Sequence, residues 1–213
     1  MKLYDTPLAP NPRRVRYFLA EKGIQDLEIV TLNLMEGDQK RPEYLAKAGL
    51  GNVPMLEMDD GTCITESLAI CRYLESVYPE PNLFGRTPLE TAVIEMWTRR
   101  AEMLVATPFM LAVRHLNPRM AALEAQITVV GEHNLENGLR ALKVLDRQLG
   151  QSEWLAADRL TIADIVAFAS IDFGRMIKLE IPADLTHVIR WLAVLRERPA
   201  AQAGMVRPAA GST

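Results

Sequence analysis

The first 80 residues alternate between the apolar spacing of strands and that of helices. Short apolar runs bounded by turn residues predict strands, and apolar residues three and four positions apart predict helices. The predicted elements are strands at 2–5 and 27–32, a helix from Asn11 to Gly23, a short helix at 42–48, a hairpin over 55–65 and a helix at 70–77. Asn11 is the predicted N-cap of the first helix, and Gly23 is its C-cap. The order is βαβ followed by αββα.

After Tyr78 the pattern changes, because prolines interrupt a short connector and no strand spacing follows it. Apolar residues at helical spacing predict helices at 89–104, 135–149, 162–176 and 185–195. Pro108 is expected to kink or end the first of these helices, and residues 200–213 are expected to form a loose tail. The sequence therefore predicts an α/β domain over 1–80 and an all-α domain over 88–213.

The segment 160–165 has the sequence pattern of a helix start. Thr161 is the predicted N-cap, Asp164 reaches back from the third helical position, and Leu160 packs onto Ile165. These residues form a capping box with a hydrophobic staple. We therefore interpret Asp164 as a structural residue and not as a catalytic acid.

The chain has 213 residues, of which 49% are hydrophobic and 24% are charged, with a formal net charge of -3. This composition argues against extended disorder, a membrane protein and a nucleic-acid-binding surface. The N-terminus has no apolar run long enough for a signal peptide, so we expect a cytoplasmic protein. Cys63 and Cys71 are predicted to be reduced thiols. Arg13, Arg14 and Arg16 are predicted to form a solvated or ion-paired helix face.

Three separated motifs occur in the order found in one protein family. Val53-Pro54 precedes a predicted strand, Glu66-Ser67 begins the helix after the hairpin, and the capping box lies in the second half. With the order of elements, these motifs make residues 3–199 resemble the glutathione S-transferase family. Residues 11–16 and 57–66 are similar to a bacterial and fungal branch of it. The resemblance implies a thioredoxin-like α/β N-terminal domain that binds glutathione, an all-α C-terminal domain that contributes the electrophile pocket, and a homodimer.

The resemblance also implies where glutathione binds as co-substrate. The family carries a cis-proline at this motif, and a cis Val53–Pro54 bond leaves the Val53 backbone available to an extended peptide. The Ser67 hydroxyl and the N-terminus of its helix are expected to bind the γ-glutamyl carboxylate, and Glu66 is expected to bind the amino group. The residues implied for the glycyl end are Gln39, Lys40 and Asn52. Without the resemblance, Gln39 and Lys40 are typical solvated surface residues, and Glu66 and Ser67 are an ordinary helix cap.

The chain departs from the family at the residue that activates the glutathione thiol. The family carries a Tyr, Ser or Cys near the end of the first strand, whereas Ala9 stands at the position of the serine. We predict that the Asn11 amide and the positive end of the first helix stabilise the thiolate; the alternative is that Asn11 only caps its helix. Tyr4 and Thr6 carry the competing hydroxyls. His115 is a further candidate, either as a residue that orients a water molecule toward the sulfur or as a surface residue that complements a helix dipole.

The predicted reaction is conjugation of the glutathione thiolate to a small apolar electrophile, with no metal, nucleic acid or membrane involved. The residues predicted to line the electrophile pocket are Met103, Ala106, Thr107, Met110 and Phe168, which spacing alone would assign to the core. Two alternatives stay open. One is a non-catalytic glutathione- or ligand-binding protein, which Ala9 favours, and the other is a glutathione-dependent isomerase or dehalogenase. A thiol-disulfide oxidoreductase is disfavoured, because residues 6–14 contain no cysteine.

Overall fold

The computed structural model describes residues 1–7 and 9–205, which form two compact units. The first unit comprises Met1–Ser76 together with residues 199–205, and the second comprises Val77–Arg198. Within the described part of the chain, no helix has both the length and the apolar character that crossing a bilayer requires.

The segment that follows the last long helix belongs to the first unit and is not a loose tail of the second. Pro199–Gln202 forms a 3-10 helix that packs against the first helix of the chain. The Arg13 guanidinium donates to the carbonyl of Ala201 at 3.1 Å, and Ala201 is buried. These contacts explain why residues 199–205 are not a loose tail. The remainder of that prediction, 206–213, lies outside the described residues.

The first unit contains a mixed four-stranded sheet with the strand order β2–β1–β3–β4. Its elements are β1 (Lys2–Asp5), α1 (Pro10–Lys22), β2 (Glu28–Thr31), α2 (Pro42–Ala48), β3 (Met55–Glu57), β4 (Cys63–Thr65) and α3 (Ser67–Val77). Strand β1 is parallel to β2 and antiparallel to β3, and β4 is antiparallel to β3. The predicted order of elements is confirmed, including the hairpin turn, where Gly61 has a left-handed φ of 86°. Cys63 and Cys71 are free thiols, as predicted.

Helix α1 begins at Pro10, with Ala9 as its N-cap and Gly23 as its left-handed C-cap. The prediction that Asn11 caps this helix is wrong. Pro10 already takes the first helical position, because its fixed φ is helical and its missing N–H needs no acceptor. Asn11 therefore lies inside the first turn, where its side chain is not needed as a cap.

The basic residues of α1 do not form the solvated face that the sequence predicts. Arg13 and Arg14 are only 4% and 2% exposed, since α1 is covered along this side by other parts of the first unit. Arg16 fits the ion-paired alternative, with its Nε 2.8 Å from Oδ2 of Asp5. Burial raises the pKa of Asp5, and the charge of Arg16 opposes this rise.

The second unit is helical, as predicted. Its long helices are α4 (Pro88–Arg100), α5 (Thr107–Leu116), α6 (Thr128–Leu149), α7 (Ile162–Phe173) and α8 (Thr186–Glu197). Buried aromatic and aliphatic side chains such as Phe109, Leu142, Phe168 and Trp191 form its core. Helix α6 begins at Thr128 and not at Leu135, where the strict apolar spacing starts.

Pro108 interrupts the first long helix before its own position. Between α4 and α5 the chain forms a π-helical segment, Ala101–Ala106, so the helical path continues to Leu116. Proline cannot donate to the carbonyl four residues back, at Leu104, and a wider turn accommodates that loss. The N–H of Thr107 donates to the carbonyl of Glu102, five residues earlier, and its hydroxyl donates to the same oxygen at 3.1 Å.

The predicted capping box at the start of α7 is confirmed, and it is fully buried. Asp164 Oδ2 accepts the N–H and the hydroxyl of Thr161, each at 3.0 Å. Its Oδ1 accepts the N–H of Leu155 and the indole N–H of Trp191, also at 3.0 Å. The carboxylate therefore joins α7, the loop before it and α8 by four hydrogen bonds. Burial raises the pKa of Asp164, and these bonds oppose the rise.

We expect Asp164→Ala to lower the free energy of unfolding by at least about 2 kcal/mol, more than the loss of a typical exposed cap. The reason is that three buried N–H donors lose their acceptor. Urea denaturation of the variant beside the wild type measures the change. Asp164→Asn, which keeps the size and one carbonyl oxygen, should lose less. An alanine variant that unfolds at the wild-type urea concentration would contradict this role.

Candidate functional site

Three parts of the first unit converge at one edge of its sheet. Met55 is the register partner of both Tyr4 on β1 and Thr65 on β4. Because both pairings are antiparallel, the residues before Met55 lie beside those that follow Tyr4 and Thr65. Val53, Ser67 and the loop after β1 are thereby brought to the same edge.

Val53 lies just outside the sheet, and its peptide bond to Pro54 is cis, as predicted. The pairing of β3 with both neighbours begins at Met55, so the Val53 backbone takes no part in the ladder. Pro54 is buried and has no N–H, so strand pairing cannot extend through it. The N–H and C=O of Val53 are therefore available to an extended peptide laid along this edge.

Glu66 precedes α3 in a left-handed backbone conformation, with a φ of 69°. Its carbonyl accepts the N–H of Ile70 at 3.0 Å, while its side chain is exposed. Residues other than glycine rarely adopt this conformation, which costs about 1–3 kcal/mol and is concentrated at functional sites. The exposed Glu66 carboxylate is accessible to an ammonium group, the partner that the resemblance implies.

Ser67 is the first residue of α3 and is only 4% exposed. Its Oγ accepts a hydrogen bond from Nη1 of Arg14 at 3.3 Å. A hydroxyl that accepts from a guanidinium keeps its own O–H for donation, and the positive charge and the helix N-terminus both attract an anion. This arrangement can bind a carboxylate. Arg14 could not be identified from the sequence, because sequence alone does not distinguish a buried arginine of α1 from an exposed one.

The three residues predicted for the glycyl end differ in their surroundings. Gln39 is buried, and its Nε2 donates to the carbonyl of Leu34 at 3.3 Å, whereas Lys40 and Asn52 are exposed. Gly51 brings the two loops together, since a Cβ there would lie 3.2 Å from the Gln39 carbonyl oxygen. Gln39 is thus not the solvated surface residue of the alternative interpretation. Lys40 and Asn52 expose a cation and an amide beside it.

Tyr4 carries one of the two hydroxyls that are alternatives to Asn11 as activator of the thiol. This hydroxyl is hydrogen-bonded to a residue of the neighbouring strand β3. It donates to Oε2 of Glu57 at 2.6 Å, and Lys47 donates to the other carboxylate oxygen at 2.6 Å. The hydrogen bond to Glu57 raises the pKa of Tyr4, and the bonds from Lys47 and Tyr4 lower the pKa of Glu57. Tyr4 therefore has an acceptor that keeps it protonated. Thr6, the other hydroxyl, follows β1 directly.

Asn11 is half-buried at the N-terminus of α1, and its Oδ1 is buried with no hydrogen-bond partner among the described residues. Two of the first three helical residues, Pro10 and Pro12, have no N–H, and the N–H of Arg13 donates to the carbonyl of Ala9 at 3.1 Å. Asn11 therefore carries the one N–H of this turn that has no intrahelical acceptor. Its amide and its backbone N–H are both donors at the positive end of the helix.

His115, in the second unit, is buried near the end of α5. Its Nδ1 accepts the N–H of Ile127 at 3.2 Å. In the neutral imidazole the proton is therefore on Nε2, which is a donor. The alternative interpretation as a surface residue at a helix end is wrong, because His115 is only 8% exposed and its ring accepts the Ile127 N–H.

The predicted pocket residues of the second unit fall into two groups. Met103 and Thr107 are exposed and Met110 is half-buried, whereas Ala106 and Phe168 have no exposed surface. The last two are core residues, because the π-helical segment packs against α7. Side chains of the first group have surface that a ligand can contact.

The chain matches family models over most of its length. The model of the glutathione S-transferase N-terminal domain matches residues 3–82, and that of the glutathione S-transferase C-terminal domain matches residues 129–199. Glutathione S-transferase 2 of Saccharomyces cerevisiae is 36% identical over 203 residues, which cover 93% of this chain and 87% of the relative. Glutathione S-transferase F10 of Arabidopsis thaliana is 34% identical over 201 residues and covers 91% of each chain.

Solved structures have the same fold. The crystal structure of Gtt2 from Saccharomyces cerevisiae superposes with a TM-score of 0.89 at 35% identity, covering 95% of this chain and 99% of that chain. A glutathione S-transferase domain-containing protein from Marinobacter aquaeolei has a TM-score of 0.87 at 38% identity, covering 94% and 99%. The predicted thioredoxin-like and all-α arrangement is confirmed. The chain therefore belongs to the glutathione S-transferase family, a family of enzymes for which glutathione is the co-substrate.

Proposed function

We propose that this chain transfers glutathione, as its thiolate, to small apolar electrophiles. The observation that carries the proposal is the edge of the sheet where Val53 and Ser67 meet. An extended peptide paired with the Val53 backbone would place the carboxylate at one of its ends near the Ser67 hydroxyl and the N-terminus of α3. Glutathione is an extended peptide with a carboxylate and an ammonium group at its γ-glutamyl end. The exposed Glu66 carboxylate would bind the ammonium group.

The glycyl end of glutathione is proposed to lie toward the loops that Gly51 holds together. Lys40 supplies a positive charge for the glycyl carboxylate, and Gln39 and Asn52 supply amides. Bound in this way, the tripeptide is held at both charged ends. Its central cysteine then lies near the N-terminus of α1, which follows β1 at the same edge.

Asn11 is proposed to stabilise the thiolate of this cysteine. The side chain of Ala9 carries no donor, and the hydroxyl of Tyr4 is bonded to Glu57. Asn11 has both an N–H without an intrahelical acceptor and a side-chain amide that is not used as a cap. Donors aimed at a thiolate lower its pKa and raise the fraction of the nucleophile at neutral pH.

The electrophile is proposed to contact Met103, Thr107 and Met110, with Ala106 and Phe168 supporting them from the core. Thioether side chains adapt to apolar molecules of different shape. His115, with its proton on Nε2, is proposed to orient a water molecule on the electrophile side of the reaction.

The direct test is turnover of the wild-type protein with glutathione and an activated chloroarene such as 1-chloro-2,4-dinitrobenzene. We expect the thioether product to form with saturation in glutathione, followed by absorbance. Glutathione binding by calorimetry without thioether formation would support the non-catalytic alternative and contradict the proposed reaction.

We expect Ser67→Ala to weaken glutathione binding by about 1–3 kcal/mol, because a charge-assisted hydrogen bond to the γ-glutamyl carboxylate is lost. Isothermal titration calorimetry measures the dissociation constant. Ser76→Ala is the matched control, since it removes a serine hydroxyl at the far end of α3 that donates to the Tyr73 carbonyl. Equal affinity of the two variants would remove Ser67 from the binding site.

Asn11→Ala should raise the pKa of the bound glutathione thiol by about one unit, which corresponds to about 1.36 kcal/mol. The thiolate absorbance of the complex, titrated against pH, measures this shift. Tyr4→Phe and Thr6→Val are controls that remove the two competing hydroxyls, and His115→Ala should lower the rate without moving the titration. A titration that moves with either hydroxyl variant and stays unchanged in Asn11→Ala would refute the assignment.

A further inference from the structure

Tyr44 reaches from α2 to the peptide group beside Val53. Its hydroxyl donates to the carbonyl oxygen of Asn52 at 2.5 Å, although its ring is almost fully buried. That carbonyl and the N–H of Val53 belong to one planar peptide unit. In a trans peptide the C=O and the N–H point in opposite directions. By holding the oxygen, Tyr44 turns the Val53 N–H away from α2.

The position of the Tyr44 hydroxyl is itself fixed by packing. The ring forms a buried cluster with Ala48 and Met55, against which Val53 also packs. It meets the Tyr4 ring edge-on, with the centroids 5.9 Å apart and an interplanar angle of 64°. A ring held on several sides leaves its hydroxyl little freedom, so the Asn52 carbonyl has a rigid partner.

The bond from Tyr44 also affects the strength of the Val53 donor. A hydrogen bond to a peptide oxygen polarises the whole amide, and an N–H on a polarised amide is a better donor. Burial raises the pKa of Tyr44 to about 12, so the hydroxyl stays protonated and keeps donating at neutral and moderately alkaline pH. Orientation and donor strength therefore act in the same direction.

We propose that Tyr44 is a positioning residue, which aims and strengthens the Val53 N–H for the peptide backbone of bound glutathione. The inference rests on the proposed binding of glutathione at Val53. Tyr44 acts through the Asn52–Val53 peptide and does not itself contact glutathione. The peptide backbone of glutathione is unchanged in the reaction, so the contact is equally strong in the ground state and in the transition state. A loss of such uniform binding raises KM and leaves kcat unchanged.

The test compares Tyr44→Phe with the wild type and with Tyr4→Phe at a temperature well below the melting points of all three. Each variant keeps its ring and loses one hydroxyl bond in the same cluster, but only Tyr44→Phe releases the Asn52 carbonyl. We expect Tyr44→Phe to raise the glutathione KM and dissociation constant about five- to tenfold with kcat within twofold, as the loss of one hydrogen bond would do. Tyr4→Phe should keep wild-type values.

The possible results distinguish a failure of the role proposed for Tyr44 from a failure of the proposed glutathione binding. A Tyr44→Phe variant that melts at a lower temperature but keeps the wild-type KM would show a purely structural role and overturn the inference. Equal increases of KM in both tyrosine variants would also overturn it, because the effect would then belong to the cluster as a whole. A wild-type protein that does not bind glutathione would refute the proposed function itself.

Discussion

The pairing of β3 with both neighbouring strands ends at Met55, and the proposed glutathione site depends on that end. Pro54 cannot donate to a neighbouring strand, so the ladder ends and the backbone of Val53 is left for another partner. The antiparallel register then determines what lies nearby, because Thr65 and Tyr4 are both opposite Met55. One constraint on backbone hydrogen bonding thus brings together the Val53 backbone, which lies outside the ladder, a helix N-terminus and the loop after β1.

Several features at this edge attract negative charge. Helices α1 and α3 both begin there, and the buried Arg14 donates a hydrogen bond to the Ser67 hydroxyl oxygen. These features favour the carboxylate and the thiolate of the proposed ligand. In the proposed site, Asn11 takes the place of the hydroxyl that is lacking at Ala9. Prolines remove two amides from the first turn of α1, and the donors that remain belong to Asn11.

The sequence was most informative where the governing interaction is local. The hairpin and the capping box at Asp164 depend on residues close in the chain, and both were predicted. The N-cap of α1 was misassigned because Pro10 and Asn11 are both good residues for a helix start. The burial of Arg13 depends on Ala201, 188 positions away, and no local pattern encodes such a contact. Tyr44 was missed for the same reason as Arg13, since its bond to Asn52 is visible only in the folded loop.

The proposed function depends on the pairing of glutathione with the Val53 backbone at the end of the ladder. A crystal structure of the wild-type protein with glutathione would show whether this pairing occurs. We expect an extended tripeptide whose cysteinyl backbone forms hydrogen bonds with the N–H and C=O of Val53, with its γ-glutamyl carboxylate on Ser67 and its sulfur near Asn11. Glutathione bound elsewhere, or bound with the Val53 backbone unpaired, would contradict it.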